Sequence, residues 1–334
     1  MSHSNVSIFI PHIGCPNMCS FCNQRIISGT QTAPTGEDVR QICSQAFNEI
    51  KDKKNAEIAF FGGSFTAIEN DYMMLLLESV QEFLGEDGFG GIRISTRPDC
   101  IDDKILTLLK KYKVTSIELG AQSMQDDVLE ANNRGHKSCD VVNASNLIRN
   151  YGFELGLQMM VGLYKSSLQD EYDTMRKIIR IHPDTVRIYP VVVLAGTELA
   201  RFFESGEYVP EPFDTIVGIC ADMLSEFENN GISVIKCGLH ASEGVEGDMV
   251  AGYYHPAFRE LCESRIYRSL TEQLIIQHKG TDYVGKICFA VNPSCISKAL
   301  GHKKSNYDYF KSHGIEIKVV ADEKVLKYKC ELRR

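Results

Sequence analysis

Between Gly14 and Cys22 the chain reads GCPNMCSFC, so Cys15, Cys19 and Cys22 stand at spacings of four and three residues. The other nine of its twelve cysteines are scattered singly. Thiolates are soft ligands that hold zinc and iron–sulfur clusters. Three in one loop can ligate three irons of a cubane and leave the fourth iron without a protein ligand. A structural zinc site closes with four ligands, whereas a reactive site keeps one position open. Zinc would need a fourth Cys or His close by. His12 is the nearby candidate, at the end of an extended run from which it would have to wrap back. The spacing therefore favours a three-ligand iron–sulfur cluster whose open position takes a substrate or cofactor.

A loop of this kind must be positioned by rigid elements. Short runs rich in β-branched residues alternate with stretches of helical period. Strands are predicted at 6–11, 56–63, 91–98, 115–123, 153–163 and 184–193, and helices near 37–51, 71–84, 102–112, 138–150 and 169–180. In the last helix Tyr172, Met175, Ile178 and Ile179 share a face. Six βα units in series predict parallel strands with outer helices, an α/β fold arranged as an open or closed barrel. Chemistry in such a fold gathers where the strands end. The cysteine loop follows the first strand, Gly62-Gly63-Ser64 the second, and Ser95-Thr96-Arg97-Pro98 closes the third. Gln122 ends the fourth, while Gln158 lies in the fifth and Arg187 and Tyr189 in the sixth. After residue 195 the alternation weakens into a strand at 231–239, a long helix at 256–278, and a tail of strand, two short helices and strand.

Composition narrows the class. Twelve cysteines in 334 residues do not read as a disulfide framework, which belongs to small secreted domains. The opening MSHSNVSIFIPHIG holds no apolar run long enough for a signal peptide, and no stretch approaches a membrane span. A cytoplasmic protein without a membrane partner is expected. The net charge of −8 is uneven: residues 284–334 carry eleven Lys and Arg against five Asp and Glu, so the tail is +6 and the remainder −14. A polyanion suits the tail and not the rest of the surface.

The C-x3-C-x2-C loop with Phe21 before its last cysteine resembles that of the radical S-adenosylmethionine (SAM) superfamily, and the likeness extends over about residues 6–195. Within it the chain resembles the radical SAM half of the Elongator catalytic subunit and the oxygen-independent coproporphyrinogen oxidases. The resemblance implies a partial (β/α)6 barrel, a [4Fe-4S] cluster on Cys15, Cys19 and Cys22, and SAM chelated to the open iron. It also implies reductive cleavage of SAM to a 5′-deoxyadenosyl radical that abstracts hydrogen from a substrate. FFGGSF (60–65) is similar to the family's glycine motif, so Gly62, Gly63 and Ser64 would meet the SAM amino group. GAQSMQDDVLEANNRGH (120–136) resembles the family's strand-4 segment, in which Gln122 and Arg134 would contact SAM. Gln158 matches a polar position of strand 5, Phe9 an aromatic six residues before the first cysteine, and Phe21 a residue that packs on adenine. STRPD (95–99), which places Ser95 at the site, is closer to the Elongator version. The porphyrin enzymes carry a glutamate where this chain has Thr96 or its neighbour, so a second SAM bound as in those enzymes is not expected. RIYPVVVLAGTEL (187–199) is Elongator-like too, making Arg187 and Tyr189 either substrate or SAM contacts or, for Tyr189, core packing.

Cys43, Cys100, Cys139, Cys220, Cys237, Cys262, Cys288, Cys295 and Cys330 stand apart, so an auxiliary cluster is not expected. No glycine-rich pyrophosphate loop follows Leu239, so neither is acetyl transfer. YYHPAFRELCESRIYRSL (253–270) resembles a segment of Elongator-like bacterial proteins, with His255 and Arg259 as its notable polar residues or as plain helix capping. The tail resembles a minimal KH core, in which a GXXG loop clamps a single nucleic-acid strand. Here that loop reads Gly301-His302-Lys303-Lys304, without its second glycine and with lysines suited to phosphate. A helical hairpin that merely covers the barrel edge is the alternative. The expected organisation is a barrel at 1–195, an extension and helical connection at 196–283, and a small basic α+β KH-like subdomain at 284–334. The expected function is radical SAM chemistry on an RNA base, in tRNA, with electrons from a flavodoxin or ferredoxin. Chemistry on a small molecule or tetrapyrrole is one alternative, and a non-catalytic iron–sulfur RNA-binding or sensing protein is another.

Overall fold

The structure is a computed structural model that describes residues 4–16, 18–30, 32–239 and 243–333. Its strands are β1 (Ser4–Ile10), β2 (Ala56–Gly62), β3 (Gly91–Thr96), β4 (Val114–Gln122), β5 (Glu154–Val161), β6 (Thr185–Pro190), β7 (Val192–Leu194), β8 (Ser233–Cys237), β9 (Met249–Gly252), β10 (Gly285–Val291), β11 (Ile315–Ala321) and β12 (Glu331–Arg333). The chain divides into two compact units, Met1–Pro210 with His240–Gly252, and Glu211–Leu239 with Tyr253–Arg334.

In the first unit β1 to β6 pair in chain order, each parallel to the next. This is an α/β partial barrel. One face of the sheet is an unbroken apolar band: Ile8 pairs with Phe60, Phe60 with Ile94, Ile94 with Ile117, and Ile117 with Leu155. All five are essentially inaccessible to solvent. Strands covered on both sides do not show the alternation of half-exposed ones, which is why all six residues of β3 are buried, Arg93 included. The alternating positions on the opposite face are polar. They include Glu57, Arg93, Ser95, Glu118, Gln158 and Arg187, joined by hydrogen bonds across the strands.

The covering helices start where the local chemistry tells them to. Thr35 and Asp38 form a capping box at the head of Gly36–Glu49, and Ser167 and Asp170 do the same for Leu168–Ile181. The latter helix buries Glu171, Thr174, Met175 and Ile178, a face rotated from the one expected, with Tyr172 and Ile179 only partly covered. The buried Glu171 is not idle: its carboxylate accepts the Gly162 N–H at 2.8 Å and pins the loop after β5. β7 and β9 form a separate antiparallel ribbon in this unit.

The second unit contains two long helices, Phe213–Asn229 and Phe258–Lys279. The first was not anticipated; its line of apolar residues, from Ile216 to Phe227, lies in the stretch where the βα alternation had faded. β10 lies between β11, parallel to it, and β12, antiparallel. Ile296–Leu300 and Ser305–Ser312 connect β10 to β11. Buried Asn306 ties this hairpin to the long helix, donating to the carbonyls of Ser264 at 2.8 Å and Ala299 at 3.2 Å. Cys220, Cys237 and Cys262, far apart in sequence, come within hydrogen-bonding reach of one another in the core of this unit. Among the described residues no helix is long and apolar enough to cross a membrane.

Candidate functional site

The ends of β1 and β2 are stitched together before any side chain is considered. Gly63 N donates to Ile10 O at 2.7 Å and Ser64 N to Ile13 O at 3.1 Å. This approach demands glycine: a Cβ on Gly63 would lie 2.0 Å from Ile13 O, and one on Gly14, whose φ is +75°, 2.3 Å from Ser64 O. Gln24 completes the clasp. Its side chain accepts from His12 N and donates to Gly62 O at 2.5 Å, while His12 Nε2 accepts from Gln24 N at 3.0 Å. One nitrogen of the His12 ring is thereby engaged in holding the loop, and His12 also lines the cavity at the strand ends.

Cys15, Cys19 and Cys22 line one cavity at the strand ends, with Phe21, Gly62, Gly63, Ser64, Ser95, Gln122, Arg134 and Gln158. Burial and the neighbouring Cys19 push the Cys15 and Cys22 thiols up, and Arg134 pulls them back. Arg134 Nη1 donates to Cys19 Sγ at 3.1 Å and Nη2 to Gly120 O at 2.7 Å, so its guanidinium is aimed at the sulfurs. Among the described residues no three His, Cys, Asp or Glu side chains converge as they would on a single metal ion. The three thiols share the cavity without closing on one point.

Gln122 sits where the β4–β5 register shifts and holds a left-handed backbone, φ 63°. Such a kink re-aims a side chain at a strand end. The absence of a Cβ on Gly120 leaves the room that Gln122 Nε2 and Arg134 Nη2 fill. Gln122 Oε1 and Arg134 Nε are buried without a partner. Orphaned buried polar atoms are rare in folded chains, and these two flank a cavity. His136 stands nearby, held down to about 4 by burial and Arg134, so it is neutral and its Nε2–H donates to Ala121 O at 3.2 Å.

Ser64 belongs to a hydroxyl cluster: its Oγ lies 3.0 Å from Thr96 Oγ1 and accepts from Arg97 N at 3.1 Å. Ser95 Oγ accepts from Gln158 Nε2 at 3.1 Å. Phe9 lies beside Phe61, centroids 6.3 Å apart, and does not line the cavity. Neither do Arg187 and Tyr189. Arg187 is clamped on Glu118 by Nε and Nη2, with its guanidinium 5.0 Å above the Phe61 ring. Tyr189 hydrogen-bonds to Arg187, and burial pushes its phenol up. Sequence reasoning passed over Glu57, Arg93, Glu118 and Gln24. The signal for the first three was available, since charged residues inside otherwise apolar parallel strands have to be paired.

In the second unit, His302 Nδ1 lies 3.1 Å from Glu260, whereas Lys303 and Lys304 are exposed and both hold left-handed backbones. His255 Nδ1 accepts from Ala257 N at 3.0 Å. Arg259 donates to Val234 O at 2.7 Å and to Glu263 at 3.2 Å.

The residues at the cavity fit a group that needs three thiolate ligands and leaves one corner free, with a polar molecule beside it. Among the described residues the cavity holds three thiols and no fourth cysteine or carboxylate, and the unsatisfied Gln122 and Arg134 atoms and the bare backbone at Gly62 and Gly63 flank them. Comparison with known proteins agrees. A family profile described as "Radical SAM superfamily" matches residues 9–178, and one described as "Radical_SAM C-terminal domain" matches residues 183–268. The tRNA uridine(34) acetyltransferase of Dehalococcoides mccartyi is 25% identical over 252 residues, covering 65% of this chain and 55% of that protein. The chain thus spans about half the length of this relative. Among solved structures, the archaeal Methanocaldococcus infernus Elp3 superposes with a TM-score of 0.56 at 20% identity, covering 74% of this chain and 62% of the other. Coproporphyrinogen III oxidase (HemN) from Escherichia coli follows with a TM-score of 0.51 at 18% identity, covering 69% and 53%. These structural likenesses speak to the fold. With the first profile spanning half of its 334 residues, the cysteine trio included, the chain belongs to the radical SAM superfamily.

Proposed function

We propose that the chain is a cytoplasmic enzyme that holds a [4Fe-4S] cluster on Cys15, Cys19 and Cys22, binds SAM beside it, and acts on an RNA base, in tRNA. The observation that carries this reading is three thiols in one cavity with, among the described residues, no fourth cysteine or carboxylate, flanked by the orphaned Gln122 Oε1 and Arg134 Nε. Cluster and SAM together would supply the chemistry, a one-electron cleavage of SAM that starts hydrogen abstraction from the substrate. Every other part belongs to the chain. Arg134 orients the Cys19 sulfur and offsets thiolate charge. Gly62 and Gly63 let a ligand's amino group reach backbone carbonyls. Phe21 offers a flat apolar wall, Ser64 and Ser95 hydroxyls, and Gln122 and Gln158 amide oxygens. Arg187 and Tyr189 lie on the same face of the sheet, as inner positions for the substrate side. A flavodoxin or ferredoxin is the proposed electron donor.

The RNA reading is supported by the tRNA named for the Dehalococcoides relative and by the +6 tail with exposed Lys303 and Lys304. On this reading residues 1–195 form the catalytic barrel, 196–283 an extension, and 284–334, with His302, the RNA-binding subdomain. The test is binding of bulk tRNA to the full chain. Lys303→Glu with Lys304→Glu is expected to weaken binding at least about tenfold and lower the salt dependence by about two counterions. Unchanged affinity and salt slope would overturn the RNA role of the tail.

A further inference from the structure

We propose that Glu118 is a positioning residue of this pocket: it fixes the amide of Gln158 so that its oxygen, and never its nitrogen, faces the cavity. The proposal rests on the reading above, that the cavity takes SAM.

Glu118 lies in the middle of β4 and is 1% exposed. Its carboxylate accepts four hydrogen bonds: Arg93 Nη1 at 3.2 Å, Arg187 Nε at 2.6 Å and Nη2 at 2.8 Å, and Gln158 Nε2 at 2.8 Å. A carboxylate between two guanidinium groups can only accept. Of the two ends of the Gln158 amide, therefore, only the nitrogen can face it. The second hydrogen of that nitrogen goes to Ser95 Oγ at 3.1 Å. Both amide hydrogens are spent, and Oε1 is the end left for the cavity that Gln158 lines. Flipping the amide would set oxygen against carboxylate and lose the Glu118 bond, while the Ser95 contact could re-form with its hydroxyl donating. The pocket thus presents a hydrogen-bond acceptor at this point, which selects a hydroxyl or amine of the ligand.

Glu118 is itself held rigidly. Arg93 reaches Glu57 at 2.7 Å and Glu154 at 2.8 Å with its remaining nitrogens, tying β2, β3, β4 and β5 through one guanidinium. Arg187 is braced by Phe61. Neither arginine lines the cavity. Buried ion networks are weak sources of stability, and apolar side chains of similar volume commonly serve as well. What such residues could not supply is the fixed sense of one amide.

The test measures SAM affinity by equilibrium dialysis on the reconstituted full chain, with iron content and thermal unfolding read on the same samples. In E118Q the new amide can offer Gln158 either a nitrogen or an oxygen, so the sense of Gln158 is lost. SAM binding is expected to weaken about tenfold, the scale of one hydrogen bond to a charged group, with iron content unchanged. Q158E sets two carboxylates against each other and weakens binding at least as much. The exchanged pair, E118Q with Q158E, restores a donor against an acceptor and keeps an oxygen toward the cavity. It is expected to regain affinity to within about threefold of the wild type. E118Q binding SAM like the wild type, or an exchanged pair no better than Q158E, overturns the assignment. Should E118Q not fold, the exchanged pair against Q158E decides alone. Failure of the wild type itself to bind SAM would overturn the underlying reading, and the assignment with it.

Discussion

At Gly63 the site depends on one missing atom. A Cβ there would stand 2.0 Å from Ile13 O and 2.9 Å from Ile10 O, both backbone, so no side chain can yield to admit it. Gly63→Ala is expected to push apart the ends of β1 and β2, costing roughly 1–3 kcal/mol of stability and a large part of the iron content on reconstitution. Denaturant unfolding and iron analysis check both. The three cysteines were legible from their spacing, whereas Gln122, Arg134 and the glycine pair were reached only through the family resemblance; the structure brings all of them to one cavity. For Glu118 and Arg93 the need for a partner was legible, but not which partner. In sequence they are single charges within IELGA and GIRIST, and only the register of the strands shows that they meet.

Elements were readable where pattern and burial coincide. The six strands and their helices follow from β-branched runs and capping residues, since a strand covered on both faces must be apolar nearly throughout. The Phe213–Asn229 helix escaped because it follows Pro210 and Pro212, and no neighbouring βα alternation announced it. On Leu168–Ile181 the buried stripe includes Glu171, which a hydrophobic pattern assigns to solvent. Burial pushes the Glu171 carboxyl up from the ordinary 4.5 to about 7, despite the Gly162 N–H that favours its charged form. The folded chain therefore binds this proton more tightly than the unfolded one. Stability from this group is fully present at acid pH and falls as the pH rises from about 4.5 through about 7, by about 3 kcal/mol in all. Glu171→Gln keeps an acceptor for Gly162 and carries no charge. At about pH 8 it is expected to be about 2–3 kcal/mol more stable than the wild type, with the difference vanishing near pH 4. Thermal unfolding across that range checks the sign: a wild type that gains stability relative to the variant as pH rises would refute it.

For the whole molecule, charge and connectivity divide the labour. The barrel unit carries the cysteine cavity and, on the sheet face opposite the apolar band, the charged network, while the basic surplus lies in the last fifty-one residues, 284–334, where eleven Lys and Arg stand against five Asp and Glu. This surplus was legible by counting, whereas the parallel pairing of β10 with β11 and the convergence of Cys220, Cys237 and Cys262 are products of folding. On the proposed function, three thiols with an open fourth corner serve SAM cleavage. The most direct measurement is 5′-deoxyadenosine, quantified by chromatography after anaerobic reconstitution and reduction with dithionite. The wild type is expected to release it, faster when tRNA is present, and Cys15→Ala to release none. A wild type that holds its full complement of iron and yields no 5′-deoxyadenosine would contradict the account.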